Sequence, residues 1–243
     1  MKLRTVGLIG IVLASVLFSA ACSKGGKDSP PAAVSQGVEE VRPKECMDGP
    51  ELSAFGTRFA REDVWAKLPE TKTLGETFGD YALQAVEVTE FGVIGSLGWH
   101  EGPNVCVQHR DGELWAQVLG AGDAKWEGPF IAVDAKGGFE RAYFNRIFGK
   151  ACYQTVEGED WCFGDGSIQI GGRALKTAVL LDTSEMPEYG IPVTVEGEPA
   201  GFWMFVRVQE QWHVFKDEVV TQEGHVDIDP AQFPPWRVLR LKH

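Results

Sequence analysis

Two ten-residue stretches of the chain align without a gap, and they restrict the fold more than any other feature. CVQHRDGELW runs from Cys106 to Trp115, and CYQTVEGEDW runs from Cys152 to Trp161. Cys, Gln, an acid, Gly, Glu and Trp recur at the same offsets, 46 residues apart. Each copy reads as a β-hairpin. In the first, Val105, Val107 and Leu114 alternate with polar residues around Asp111-Gly112. An Asp-Gly pair between alternating runs favours a type I′ turn, because both central residues must take positive φ. In the second, a three-residue loop Val156-Glu157-Gly158 with Gly158 left-handed pairs Thr155 with Glu159, Tyr153 with Trp161, and Cys152 with Cys162. That register puts two aromatic rings on one face and two thiols opposite each other on the other. It predicts a Cys152–Cys162 disulfide.

A weaker third copy, WMFVRVQEQW from Trp203 to Trp212, keeps only the Glu-x-Trp ending, and Trp65 lies 50 residues before Trp115. FGVIGSLGW sets Phe91, Val93, Leu97 and Trp99 on one strand face. PFIAVDAKGGFERAYF and IPVTVEGEPAGFWMFV both read as strand, turn, strand, and ALKTAVLLD as one apolar strand. The best helix signal is Arg61 to Leu68, stopped before Pro69. Short strands at regular spacing predict an all-β fold of antiparallel meander or hairpin units. The internal repeat of about 46–51 residues resembles the blade of a β-propeller, with a sandwich or barrel as the alternative.

The N-terminus addresses the chain elsewhere. Lys2 and Arg4 precede an apolar run from Val6 to Ala21, too short for a membrane-spanning helix of about 20 apolar residues. This pattern predicts a secretory signal peptide over residues 1–21. The segment SAAC, Ser19 to Cys22, resembles the lipobox of bacterial lipoproteins, although leucine is usual where Ser19 stands. The resemblance implies that Cys22 is the lipid-attachment residue, carrying a diacylglyceryl group and an N-acyl chain such as palmitate. Several acyl chains anchor a protein stably where one does not. Ser23 after the cysteine resembles outer-membrane rather than inner-membrane sorting, with the domain in the periplasm. Residues 22–45 then form the lipidated cysteine and a flexible tether. After Cys22 the tether holds no aromatic residue, leucine or isoleucine, but three prolines. Assigning Cys22 to lipid leaves four of the five cysteines. If Cys152 pairs with Cys162, Cys46 is left with Cys106.

Residues 46–243 are the soluble β domain. Without Lys2 and Arg4, 21 basic residues face 35 acidic ones, a formal charge of −14. That excludes nucleic acid as a natural partner and suits a cationic protein, if it does more than keep the domain soluble. Catalytic motifs are scarce. His100 and Glu101 form a possible acid–base pair in a turn. His225, Asp227 and Asp229 would share one face of a strand and are weak metal-ligand candidates lacking a fourth member. The glycines of FGDGSIQIGG fit neither a nucleophile elbow nor a phosphate loop and read as turns. No cofactor is expected. Trp115, Trp161 and Trp212 read as core. Trp99, Trp126 and Trp236, beside turn or proline residues, are the possible ligand-binding aromatics, suited to a cell-wall glycan or a protein partner. The expectation is a lipid-anchored envelope protein with a non-enzymatic binding domain. The alternatives are an inhibitor or immunity protein against a basic cell-wall hydrolase, and a hydrolase or metal-dependent enzyme.

Overall fold

Turn chemistry and strand alternation produce two β layers wrapped around separate cores. The computed structural model describes residues 45–79, 83–90, 92–96, 102–120, 123–181, 187–198, 201–216, 220–222 and 225–242, with 220–222 and 225–227 as backbone only. Strands account for 44% and helix for 17%.

The first layer comprises β1 (Arg58–Arg61), β2 (Ala85–Thr89), β3 (Gly92–Ser96), β4 (Val105–Arg110), β5 (Glu113–Val118) and β6 (Glu127–Ala132), in the order β3-β2-β1-β6-β5-β4. The sheet curls until its edges touch: Ile94 bridges Asn104, and the Gly95 amide donates to the Pro103 carbonyl at 3.1 Å. Phe59, Val86, Val93, Val105, Val107, Leu114 and Phe130 fill the inside, closed by Leu52 from α1 (Gly49–Ser53). The α1 start is fixed by a capping box, in which Asp48 accepts from the Glu51 amide at 2.9 Å and Glu51 accepts from the Asp48 amide at 3.3 Å.

Two short helices, α2 (Glu62–Lys67) and α3 (Leu74–Phe78), flank a 3-10 turn at Leu68–Glu70. Arg61 enters α2 between two carboxylates, Asp63 at 3.0 Å and Glu127 at 2.8 Å. A fourth helix, α4 (Phe139–Phe148), replaces the second strand expected in PFIAVDAKGGFERAYF. Its apolar positions Phe139, Tyr143, Phe144, Ile147 and Phe148 recur at three- and four-residue intervals, which is helical spacing. Gly149, at φ 65°, ends it.

The second layer is a closed eight-stranded antiparallel barrel. Its members are β7 (Cys152–Thr155), β8 (Asp160–Gly164), β9 (Ser167–Ile170), β10 (Arg173–Val179), β11 (Ile191–Val195), β12 (Phe202–Val208) and β13 (Gln211–Phe215). A separate hairpin, β14 (Val220–Gln222) with β15 (His225–Asp227), intervenes before β16 (Arg237–Leu241). Strands β7 to β13 each pair with the next, and β16 closes the ring between β13 and β7. The architecture is therefore the barrel alternative, not a propeller. The hairpins share sequence but not surroundings: β4–β5 lies in the curled sheet, β7–β8 and β12–β13 in the barrel.

The hairpin registers follow the sequence reading. Asp111 and Gly112 take φ of 50° and 92° between paired Arg110 and Glu113. Gly158 takes φ 89°, Thr155 and Glu159 are bonded through their backbones, and Tyr153 faces Trp161. Cys152 and Cys162 face each other with Cα atoms 4.0 Å apart, and Cys46 and Cys106 lie 5.1 Å apart, both pairs at disulfide distance.

Helix α4 fills one end of the barrel. Its Phe148 ring stacks on Phe163 of β8 and meets Phe205 of β12 and Trp212 of β13, each at 5.0 Å between centroids. On the barrel's outer surface a smaller cluster, Met204, Phe215 and Ile228, is also buried.

Candidate binding site at the barrel mouth

Alternation along the strands builds two aromatic layers inside the barrel. Phe163 and Phe205 form the layer that α4 covers. Two residues earlier on the same strands stand Trp161 and Trp203, which side-chain alternation directs to the same interior. Trp236, just before β16, completes a triad. Its centroid lies 5.8 Å from Trp161 and 5.3 Å from Trp203, and those two are 5.5 Å apart. Trp161 and Trp203 are buried, and Trp236 is half-buried.

The triad borders a cavity of about 350 Å³, with the half-buried Trp236 as its accessible aromatic wall, Trp161 and Trp203 packed behind it, and Ile170 and Leu175 adding apolar surface. Glu159, Glu198, Arg173, Lys216 and Arg237 supply its charge. Glu159 Oε2 accepts from Trp161 Nε1 at 2.9 Å. Lys216 Nζ lies 2.5 Å from Glu198 Oε2, yet that oxygen has no aligned hydrogen bond, so charge rather than direction holds the pair. Lys216 Nζ is also 5.0 Å from the Trp236 ring and 5.9 Å from Trp203, within range of a cation–π attraction. The Arg237 guanidinium stands 4.6 Å from Trp236. Trp203 Nε1 is buried with no hydrogen-bond partner among the described residues. An eight-stranded barrel has an interior that side chains can fill or that can hold one small ligand. Here one end is filled, and the other keeps a cavity with an aromatic lining and a charged rim.

A second cavity, about 370 Å³, lies beside Arg141 of α4. There the charges are engaged: Lys176 pairs with Glu196 at 3.0 Å, and Arg141 donates to the Asp165 carbonyl. Nearby on α4 the Tyr143 hydroxyl is raised well above the ordinary phenol range, by burial first and the Glu140 charge second, so it stays protonated.

Of the three tryptophans picked from sequence, Trp236 lines the mouth. Trp126 carries the Arg110 guanidinium over its ring at 3.8 Å, so that face is already occupied. Trp99 lies outside the described residues, as do His100, Glu101 and Cys22. The β15 strand contains His225 and Asp227, whose side chains lie outside the described residues. Asp229 stands beyond its end, and its carboxylate instead accepts from the Ala231 amide at 2.9 Å and Gln232 Nε2 at 2.7 Å, closing a turn. Among the described residues no three His, Cys, Asp or Glu side chains cluster as a metal site.

Sequence reasoning missed Trp203, Lys216 and Arg237, and treated Trp161 as core only. Trp203 and Phe205 at i and i+2 signalled a shared inward face. Trp115, read as core, is half-buried on the face of β5 opposite Leu114 and Ala116. No known protein family, curated protein or solved structure matches this chain.

Proposed function

We propose that this chain is a non-enzymatic binding protein of the cell envelope, whose barrel mouth takes a small ligand with a flat apolar face. The observation that carries this reading is the convergence of Trp161, Trp203 and Trp236 around a cavity at the end that α4 leaves unfilled. Preformed apolar pockets with a few convergent polar groups are the common form of small-ligand sites. The neutral dye N-phenyl-1-naphthylamine, which brightens on leaving water, tests it. The intact protein should enhance its emission saturably, and Trp236→Ala should weaken binding roughly tenfold, the scale of one lost aromatic wall. Equal binding by both proteins would place the ligand elsewhere.

The tether belongs to the same proposal. An acylated Cys22 would hold the domain at the outer membrane, on the periplasmic side, with residues 23–45 as spacer. Cys22→Ser is expected to move the protein from the membrane fraction to the soluble one. Retention in the membrane pellet after a salt wash would refute the lipid anchor.

The formal charge of −14 after signal removal supports a second reading, in which the acidic surface captures a basic cell-wall hydrolase. An inhibitor of that kind suppresses lysis at near-stoichiometric amounts and loses its hold as salt rises.

A further inference from the structure

We infer that the barrel mouth selects amphipathic anions: molecules with a flat or aliphatic apolar body and one carboxylate-like or sulfonate-like head. This rests on the mouth being a ligand site and adds the charge of its ligand.

The polar groups around the cavity are not all committed to one another. Both carboxylates at the mouth are neutralised or bonded, Glu159 by the Trp161 indole and Glu198 by the Lys216 charge, although Glu198 Oε2 accepts no aligned hydrogen bond. The group at the mouth with neither a hydrogen bond nor an ion pair among the described residues is a donor. Trp203 Nε1 is buried, with its residue only 1% exposed, and no acceptor among the described residues reaches it. An indole N–H can only donate, and a buried donor left unpaired is unfavourable until an acceptor arrives. Three cations, Arg173, Lys216 and Arg237, stand against two carboxylates around this cavity. Lys216 lies close to Glu198 but unaligned with it, and within cation–π range of two of the tryptophans. An anionic head entering between Trp203 and Lys216 gives the indole its acceptor and shares the ammonium with Glu198. The apolar body then lies against Trp236, Ile170 and Leu175.

A cationic ligand is the natural rival, because tryptophan cages recognise quaternary ammonium groups. This cage already holds its own cations, with Lys216 at 5.0 Å and Arg237 at 4.6 Å from Trp236. A further positive charge would be repelled. The acidic character of the whole chain does not reverse this, because at physiological ionic strength charges beyond roughly 8 Å are largely screened while those lining the cavity are not.

A matched pair of dyes tests the inference. N-phenyl-1-naphthylamine and 8-anilino-1-naphthalenesulfonate share one ring system, and only the second carries a negative charge. Titrated against the intact protein at physiological salt, the sulfonate should bind at least tenfold more tightly. Lys216→Met should remove most of that preference, read as the ratio of the two dyes' affinities for the same variant. Trp203→Phe, which keeps an aromatic ring and deletes the N–H, should weaken the sulfonate more than the neutral dye. Equal affinity for the two dyes would overturn the anion inference and leave the mouth as a binding site. Binding of neither would overturn both. A sulfonate preference that persists in Lys216→Met and Trp203→Phe would place the anion away from the mouth and overturn the inference as well.

Discussion

Phe148→Ala is expected to lower the unfolding free energy by about 3–5 kcal/mol, the range for deleting a large buried aromatic side chain. Phe148 is the last residue of α4 and is 2% exposed. Its ring meets Phe144 at 4.8 Å between centroids, and Phe163, Phe205 and Trp212 each at 5.0 Å. It therefore joins the helix to three barrel strands at once, and no single neighbour can collapse into the space it leaves. Each aromatic pair adds about 0.5–1.5 kcal/mol beyond simple burial. Phe148→Leu keeps most of the volume and should lose clearly less. Urea unfolding followed by far-ultraviolet circular dichroism would show a lower midpoint at nearly constant m-value. A loss under about 1 kcal/mol for the alanine variant would mean that α4 does not plug the barrel, since core truncations of this kind cost far more. The consequence reaches the mouth: Phe163 and Phe205 are the floor beneath Trp161 and Trp203, and only a filled floor leaves the cavity at one end.

The parts of the fold that were legible in the sequence are those encoded locally. The β4–β5 and β7–β8 registers followed from Asp111-Gly112 and Gly158, because turn chemistry and side-chain alternation act over fewer than ten residues. Closure of the barrel was not legible. It depends on β16 finding β7 and β13, as in the pairing of Leu239 with Thr155 and Trp212, and nothing in either segment names its partner. Helix α4 was misread because its recurrence is clear only when the window runs on to Ile147 and Phe148; Phe139 to Phe144 alone fits neither period well. The site divided along the same line. Trp236 stood out by its place beside prolines. By the same rule Trp126 was chosen too, and only the fold brings Arg110 over its ring. Trp161 was correctly read as buried, but burial against other side chains and burial beneath a cavity give the same sequence signal.

Removing the Cys46–Cys106 cross-link by the paired change Cys46→Ala and Cys106→Ala should lower stability by about 4 kcal/mol. Removing Cys152–Cys162 in the same way should cost less, about 2.5–3 kcal/mol. The difference follows from loop length. The first pair is separated by 60 residues and the second by 10, and the entropy withheld from the unfolded chain grows with the logarithm of the closed loop. The 60-residue loop encloses α1 to α3 and β1 to β3, so cutting it releases half of the curled sheet in the unfolded ensemble. In the native state little need move: the Met47 amide still bonds to the Val107 carbonyl at 2.8 Å, and Asp48 still caps α1. Accordingly, the m-value should rise with the loss of Cys46–Cys106, because a longer free chain exposes more surface on unfolding. The opposite ranking, with the short loop mattering more, would show that Cys152–Cys162 acts by holding the β7–β8 register in the folded barrel. The Tyr153–Trp161 pair next to that bond would then owe its placement to the cross-link, and the mouth tryptophans should shift in fluorescence when it is reduced.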